Sequence, residues 1–543
     1  MKPILEVAES FGISEKYLEL YGHYKSKLDL SLCSDLQNRP NGKLVLVTAM
    51  NPTPAGEGKT LTTIGLAQSL NAIGEPTIAA LREPSLGPCF GMKGGATGSN
   101  KAQIMPSEDI NLHFTGDLHA ITSAHNLLSA MIDNHIFQGN ALQIDPGQVL
   151  WKRAMDMNDR SLRQIVVSLG DGNGNVHESG FMITTASEVM AVLCLSENLD
   201  DLKNRLGRMI VAYTITGEPV TALQIGAVDA MTVLLKDAIK PNMVQTAEGT
   251  PAIVHGGPFA NIAHGCSSVI GTKTALKLAN IVVTEAGFGA DLGAEKFFDI
   301  KCRQAGLVPS AAVLVVTVKA LKYNGGVPKA EVEKPNTEAL KAGLANMRRH
   351  LENIGKFGVP VMVAINHFTS DTDEELQLVS AECQKLGIQA EISDVWAEGS
   401  QGGLKMAQTL RDILQQGTSR FTPLYPEDME IKAKIETIVK EIYRGGGVQF
   451  SAKAAAKIAE FERQGFGRLP VCMAKTPYSF SDQPRLLGAP EGFIVQVKDV
   501  TLSAGAGFVV AHTGNIVTMP GLPKAPAAEH IYLDENGEVA GLL

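Results

Sequence analysis

The chain is short of the features that would staple it, anchor it or give it a positive field. Its 543 residues hold seven cysteines, Cys33, Cys89, Cys194, Cys266, Cys302, Cys383 and Cys472. The count is odd and no two form a C-x-x-C pair, which argues against a disulfide framework and against a zinc ribbon. Positive charge is outweighed: Lys+Arg is 48 and Asp+Glu 57, so the net charge is 48 − 57 = −9. An acidic chain has no global field for nucleic acid or anionic lipid, so neither is expected as a partner. No apolar run approaches the ~20 residues that span a bilayer. The opening Met1-Lys2-Pro3-Ile4-Leu5-Glu6 has no continuous apolar stretch of the signal-peptide kind. A soluble, cytoplasmic protein is the expectation. Charged residues are only 19% against 44% hydrophobic, which excludes global disorder. Aromatics are few, at 5%, and glycines many, at 54, as in an α/β enzyme with backbone-lined loops.

Short β-branched runs alternate with longer helical patterns. Leu44–Thr48, Thr77–Leu81, Met209–Tyr213, Ile281–Thr284, Ala312–Thr317 and Pro360–Ile365 read as buried parallel strands. Leu61–Ile73, His119–Asn134, Thr337–Ile354 and Asp373–Leu386 read as helices between them. The alternation predicts α/β architecture with a mostly parallel sheet. Glycine-rich breaks at Asn324–Pro328 and Arg444–Gly447 suggest three units: a large nucleotide-binding domain over 1–326, a second α/β domain over 327–444 and a C-terminal α/β domain over 445–543. In the last unit Leu469–Ala474 and Phe493–Val500 read as strands.

The strand Leu44–Thr48 runs into Thr53-Pro54-Ala55-Gly56-Glu57-Gly58-Lys59-Thr60, and a helix follows at once. This is the context of a P-loop. Gly56 and Gly58 let backbone N–H groups turn toward phosphate oxygens, and the helix N-terminus adds positive dipole character. Lys59 reaches the outer phosphates, and the Thr60 hydroxyl can ligate Mg²⁺ held with the nucleotide. Thr53 stands where the strict pattern has glycine.

The next strand ends in Leu81-Arg82-Glu83-Pro84-Ser85-Leu86-Gly87-Pro88. Beside a P-loop strand, Arg82 would emerge on the carboxyl edge of the sheet, where ligands bind, and its planar fork suits phosphate or carboxylate. The plain alternative is a surface salt bridge with Glu83. Gly91-Met92-Lys93-Gly94-Gly95-Ala96-Thr97-Gly98 carries four glycines around one lysine, either a close approach to an anion or a flexible surface loop. His113, His119, His125 and His135 cluster without metal-ligand spacing. Asn366-His367-Phe368 and Ser393-Asp394-Val395-Trp396 each follow a strand, which puts two aromatics on the ligand edge.

Thr53–Thr60, Arg82–Pro88 and Gly91–Ala96, in this order and spacing, resemble the formate–tetrahydrofolate ligase family. Val315–Gly326 is similar to that family's second signature, with Val316 and Lys319 where Ala and Arg are usual, and Leu469–Thr476 to its C-terminal one. After Gly95 the chain departs from the usual A-A-G-G-G-Y with Ala96-Thr97-Gly98-Ser99-Asn100-Lys101. The resemblance covers essentially the whole chain. It implies ATP-dependent ligation of formate to tetrahydrofolate, giving 10-formyltetrahydrofolate, ADP and phosphate through formyl phosphate. By the same resemblance Lys59, Arg82 and Glu83 are catalytic and Phe368 and Trp396 stack the pterin. Lys93, His113, Asp117 and His119 either shape the formyl phosphate pocket or serve the fold. The resemblance further implies Mg²⁺ with ATP, a monovalent cation such as K⁺ or NH₄⁺, and a homotetramer. Two other readings stay open: a P-loop switch ATPase acting on a protein partner, and a carboxylate kinase without the folate half.

Overall fold

The computed structural model describes residues 1–53, 56–514 and 516–542; Pro54 and Ala55 of the expected phosphate turn, and the side chain of Lys93, lie outside the described residues. The apolar runs pair side by side. Parallel strands stand in the spatial order Pro251–Val254, Thr77–Leu81, Ile281–Glu285, Lys43–Ala49, Pro309–Val316, Val361–Asn366 and Ala390–Ser393. Asn242–Thr246 extends this sheet antiparallel to Pro251–Val254. The period of two along each strand decides what it faces. Val45, Val47 and Ala49 share one core with Ile64, Leu66, Ala67 and Leu70 of the helix Lys59–Ala72. Leu44 and Leu46 share the other with Val269, Ile270 and Ala275 of the helix Val269–Leu278. The result is mixed α/β architecture, with helices on both faces of a large, mostly parallel sheet.

One expected strand belongs elsewhere. The run Met209–Tyr213 is the strand Ile210–Thr214, but it pairs antiparallel with Pro219–Thr221 and Ile144–Val149 in a separate three-stranded sheet. The physical reason is the turn after it. Gly217 has φ 84°, and Thr214 and Glu218 bond across the turn (N to O 2.8 Å), closing a hairpin where a crossover helix would be needed for a parallel partner. The expected strand Phe493–Val500 also divides, into Ile494–Val497 paired with Gly447–Phe450 and Asp499–Ser503 paired with Phe508–His512. The boundary expected at 326 falls between Pro309–Val316 and Val361–Asn366, which pair directly in the large sheet. No helix among the described residues is long and apolar enough to cross a membrane.

The C-terminal segment is joined to the rest through buried polar groups. Glu188, at the start of the helix Glu188–Leu195, accepts the N–H groups of Gly505 at 2.8 Å and Ala506 at 3.3 Å. Burial pushes its carboxyl up to about 7 despite those bonds. The folded chain therefore holds this proton where an unfolded chain, with an ordinary carboxyl near ~4.3, has lost it. Stability from this group is full below the unfolded value and is lost as pH rises through the folded one. Glu188→Gln, which keeps an acceptor oxygen but cannot ionise, is expected to melt closer to, or above, the parent as pH rises past about 7. Melting temperatures of both proteins across this range check it. A constant gap at every pH would mean that Glu188 does not titrate there.

Candidate functional site

All seven parallel strands end on one edge, and each end carries polar or aromatic groups that the sequence analysis weighed or overlooked. Along the edge stand Arg82, Glu285, the turn 53–60, Thr317, Phe368 and Trp396, in the order of their strands. Adjacent strands are spaced by about 4.8 Å. The strand leading into the turn 53–60 is also where the sheet's connections reverse, the place where ligands bind in open α/β folds.

The turn is built for backbone N–H groups. Gly56 and Gly58 have φ of 85° and 76°, left-handed values open to glycine at little cost, and Gly58 caps the helix Lys59–Ala72. Its one acidic residue faces inward. The Glu57 carboxylate accepts Thr53 N–H at 2.6 Å and the hydroxyl of Thr317, while the Glu57 carbonyl accepts Asn366 Nδ2 at 3.2 Å. Burial pushes its carboxyl above the usual range, against the hydrogen bonds from Thr317 and Thr53. Glu57 thus fixes the turn to the ends of two neighbouring strands. Thr317 and Asn366 were not foreseen.

Thr60 Oγ1 donates to Glu285 Oε2 at 2.7 Å, and Glu285 Oε1 lies 3.9 Å from Arg82 Nε. Glu285 is the main residue that sequence reasoning missed. Its signal was present: an apolar β-branched run, Ile281–Val283, ending in an acid. What was hidden is that this strand inserts between Lys43–Ala49 and Thr77–Leu81. The Arg82 guanidinium lies over Gly287, where an added Cβ would stand 3.2 Å from Nη1. Its Nε is buried and has no hydrogen-bond acceptor among the described residues. Arg82 makes no salt bridge with Glu83, which turns the other way. Burial raises the Glu83 carboxyl well above the usual range, and neighbouring Asp117 and Asp156 add to that rise against the pull of Lys27. One of its oxygens, Oε2, is also buried without a partner.

The glycine-rich segment is tied down. Ala96 N–H bonds Asn111 Oδ1 at 2.8 Å and Gly95 N–H bonds the Leu542 carbonyl at 2.5 Å. Thr97, part of the departure from the family pattern, is buried and bonded to Ser107 and Asn111. Asp117 sits in an interior network: it pairs with Lys27 at 2.7 Å and accepts Asn242 Nδ2 at 2.7 Å. His113 and His119 are exposed. His125 is buried against Trp151, its ring pushed down to about 4 by burial. No group of three or more His, Cys, Asp or Glu among the described residues is placed to hold a metal ion.

The two tryptophans differ sharply: Trp151 is 8% exposed and packs in the core, whereas Trp396 is 49% exposed on the ligand edge. Phe368 is half-buried, with Lys319 Nζ 4.4 Å from its ring centre. The two aromatic-bearing strand ends are joined, because Asn366 pairs with Ser393, His367 N–H bonds the Ser393 carbonyl at 3.2 Å and His367 Nδ1 lies 2.5 Å from Asp394 Oδ1. Phe288, three residues past Glu285, has φ 63°. A bulky side chain in that region is strained, and such strain gathers at functional loops; no sequence signal marks it. The C-terminal signature closes the back of the site, where Lys475 forms a buried ion pair with Asp291 at 2.7 Å and Asn51 Nδ2 bonds the same carboxylate at 3.1 Å.

A sequence model described as formate–tetrahydrofolate ligase matches residues 1–543, the whole chain. The chain belongs to that family. It is a ligase of one-carbon metabolism, acting on formate and tetrahydrofolate.

Proposed function

We propose that this member of the formate–tetrahydrofolate ligase family drives ligation with ATP and passes through formyl phosphate. The observation that carries the reading is the Arg82 guanidinium, beside the glycine turn 53–60, with a buried Nε that no acceptor satisfies among the described residues. A buried N–H without an acceptor is costly, and an oxyanion held beside the guanidinium would satisfy it.

In this reading the turn Thr53–Thr60 is a P-loop that cradles the phosphates of ATP with backbone N–H groups, and Lys59 neutralises the outer ones. The donor set of Thr60 and Glu285 is hydroxyl and carboxylate oxygen, which suits a hard cation. Mg²⁺ held with the nucleotide through Thr60 would supply further neutralisation of phosphate charge.

A formate oxygen attacks the γ-phosphorus and the bond to ADP breaks. Formyl phosphate forms, its phosphate gripped by Arg82. Glu83, the next residue along the chain, keeps the catalytic role that the family resemblance gives it. N10 of tetrahydrofolate then attacks the formyl carbon. The C–O bond to phosphate breaks, N10 loses its proton, and inorganic phosphate and 10-formyltetrahydrofolate leave. Phe368 and Trp396 stack the flat pterin. A homotetramer belongs to the same reading, and a solution mass measurement tests it.

The test is an assay of 10-formyltetrahydrofolate with ATP, Mg²⁺, formate and tetrahydrofolate, each omitted in turn. Product is expected only when all four are present. ATP hydrolysis that needs neither formate nor folate would favour the switch ATPase. Acyl phosphate accumulating without any response to folate would favour the carboxylate kinase. On the folate side, Trp396→Ala is expected to raise the tetrahydrofolate Kd about five- to tenfold, since one stacking face is worth on the order of 1 kcal/mol. Phosphoryl transfer from ATP to formate should be unaffected. Fluorescence or calorimetric titration with tetrahydrofolate, beside ADP release without folate, separates the two. Unchanged folate affinity with impaired phosphoryl transfer would move Trp396 to the nucleotide half.

A further inference from the structure

The phosphate turn and the Phe368 loop form a closed ring of contacts. Glu57 receives both arms. Its carboxylate accepts the Thr317 hydroxyl, and its carbonyl accepts Asn366 Nδ2 at 3.2 Å. From Thr317 the chain enters the helix Val318–Asn324, whose Lys319 lies 4.4 Å from the Phe368 ring centre. From Asn366 the chain reaches Phe368 in two residues. Asn366 is buried, ends its strand, and packs on Gly58 so closely that an added Cβ there would stand 2.5 Å from Nδ2. The Trp396 side is fixed to the same element. Val395 fills the space over Gly65 of the helix Lys59–Ala72, and Ser69 Oγ donates to the Ser400 carbonyl at 2.9 Å.

We propose that Asn366 is a positioning residue that couples the two halves of the site, so that a pterin on Phe368 tightens the phosphate turn through the Asn366–Glu57 hydrogen bond. This rests on the reading of the turn as nucleotide-binding and of Phe368 as pterin-binding. The argument is mechanical. A side chain two residues from the stacking ring holds the carbonyl of the residue before Gly58, and Gly58 has a left-handed backbone that sets the aim of the following N–H groups. Ordering Phe368 restrains Asn366, and restraining Asn366 fixes the turn. Pre-ordering by one ligand lowers the ordering cost for the other, which appears as positive coupling. Coupling is reciprocal, so nucleotide must tighten folate by the same factor.

The test is a set of four titrations on the full chain: MgADP with and without saturating tetrahydrofolate, and tetrahydrofolate with and without saturating MgADP. The parent is expected to show mutual tightening of about fivefold or more in each direction. Asn366→Ala and Asn366→Leu, which both lack the donor while the second keeps bulk over Gly58, are expected to bind each ligand separately with the mutual factor reduced to about one. A purely structural role would weaken both ligands and leave their ratio unchanged, and that result overturns the proposal. Coupling retained in Asn366→Leu overturns it too, because packing and not the hydrogen bond would then be the link. Independent binding of the two ligands in the parent overturns it while leaving the functional reading intact. A parent that binds no folate at all defeats the functional reading itself.

Discussion

Lys59→Ala is expected to lower the ligation rate by about 10³-fold or more while the protein remains folded. Lys59 is the first residue of the helix Lys59–Ala72, directly after the left-handed Gly58. It is partly exposed, so its removal opens no interior cavity. Other lysines lie deep in the interior. Lys27, Lys322 and Lys475 are fully buried and paired with Asp117, Glu375 and Asp291 at 2.7, 3.0 and 2.7 Å. Removing any of these would strand a buried carboxylate and unfold part of the chain. At Lys59 the loss should fall on chemistry. Phosphoryl transfer depends on positioning and on charge set against the phosphate oxygens, and this ammonium stands over the outer ones in the proposed mode. The measurement is single-turnover ADP formation from ATP and formate, beside a nucleotide titration and a melting curve. An unaltered rate with an unaltered melting temperature would remove Lys59 from the site and take the P-loop reading with it.

The sequence carried the sheet well where local patterns suffice. The runs at 44–48, 77–81, 281–284, 312–317 and 360–365 all match parallel strands of the large sheet, Thr317 and Pro360 alone falling one residue outside. Period and β-branching report burial, and these strands are buried on both faces. They do not report the partner, which is why 209–213 looked the same and yet pairs antiparallel in a side sheet. The site divides along the same line. The glycine turn, Arg82, Phe368 and Trp396 are marked by residue type and by position after a strand. Glu285 lay one residue beyond the run read as a strand, and only its insertion between two other strands gives it Thr60 and Arg82 as neighbours. Thr317 and Asn366 act on Glu57 across 260 and 309 residues of sequence, a separation that no local pattern encodes. Asp117 depends on distant partners too. The family-like loop left it between a pocket role and a structural one, and Lys27 and Asn242, neither near it in sequence, hold it inside a buried network.

Arg82→Lys is expected to cost about 10²-fold in the rate of formyl transfer, although the charge is kept. The geometry around Arg82 is made for a plane. Nη1 rests over Gly287, where any Cβ would stand 3.2 Å away, and Nε faces Glu285 Oε1 at 3.9 Å. The carboxylate steadies one edge of the guanidinium, and the remaining N–H groups form a fork that matches two oxygens of one phosphate. A lysine in the same place offers a single, strongly hydrated point charge on a flexible stem, so it can hold the anion but not fix its orientation. The loss should therefore appear in turnover more than in nucleotide affinity, which rests mainly on the turn 53–60. Glu285→Gln tests the other half of the pair. It keeps the size of the side chain and removes the charge that steadies Arg82 and accepts the Thr60 hydroxyl. Because both substitutions spoil the same alignment, the double variant should be much less impaired than the product of the two single losses. Rates of all four proteins, measured with saturating ATP, formate and tetrahydrofolate, give the answer. Strict multiplication of the two losses would show that Glu285 serves Thr60 and the nucleotide alone. An Arg82→Lys variant as active as the parent would return Arg82 to the surface role that its position beside Glu83 first suggested.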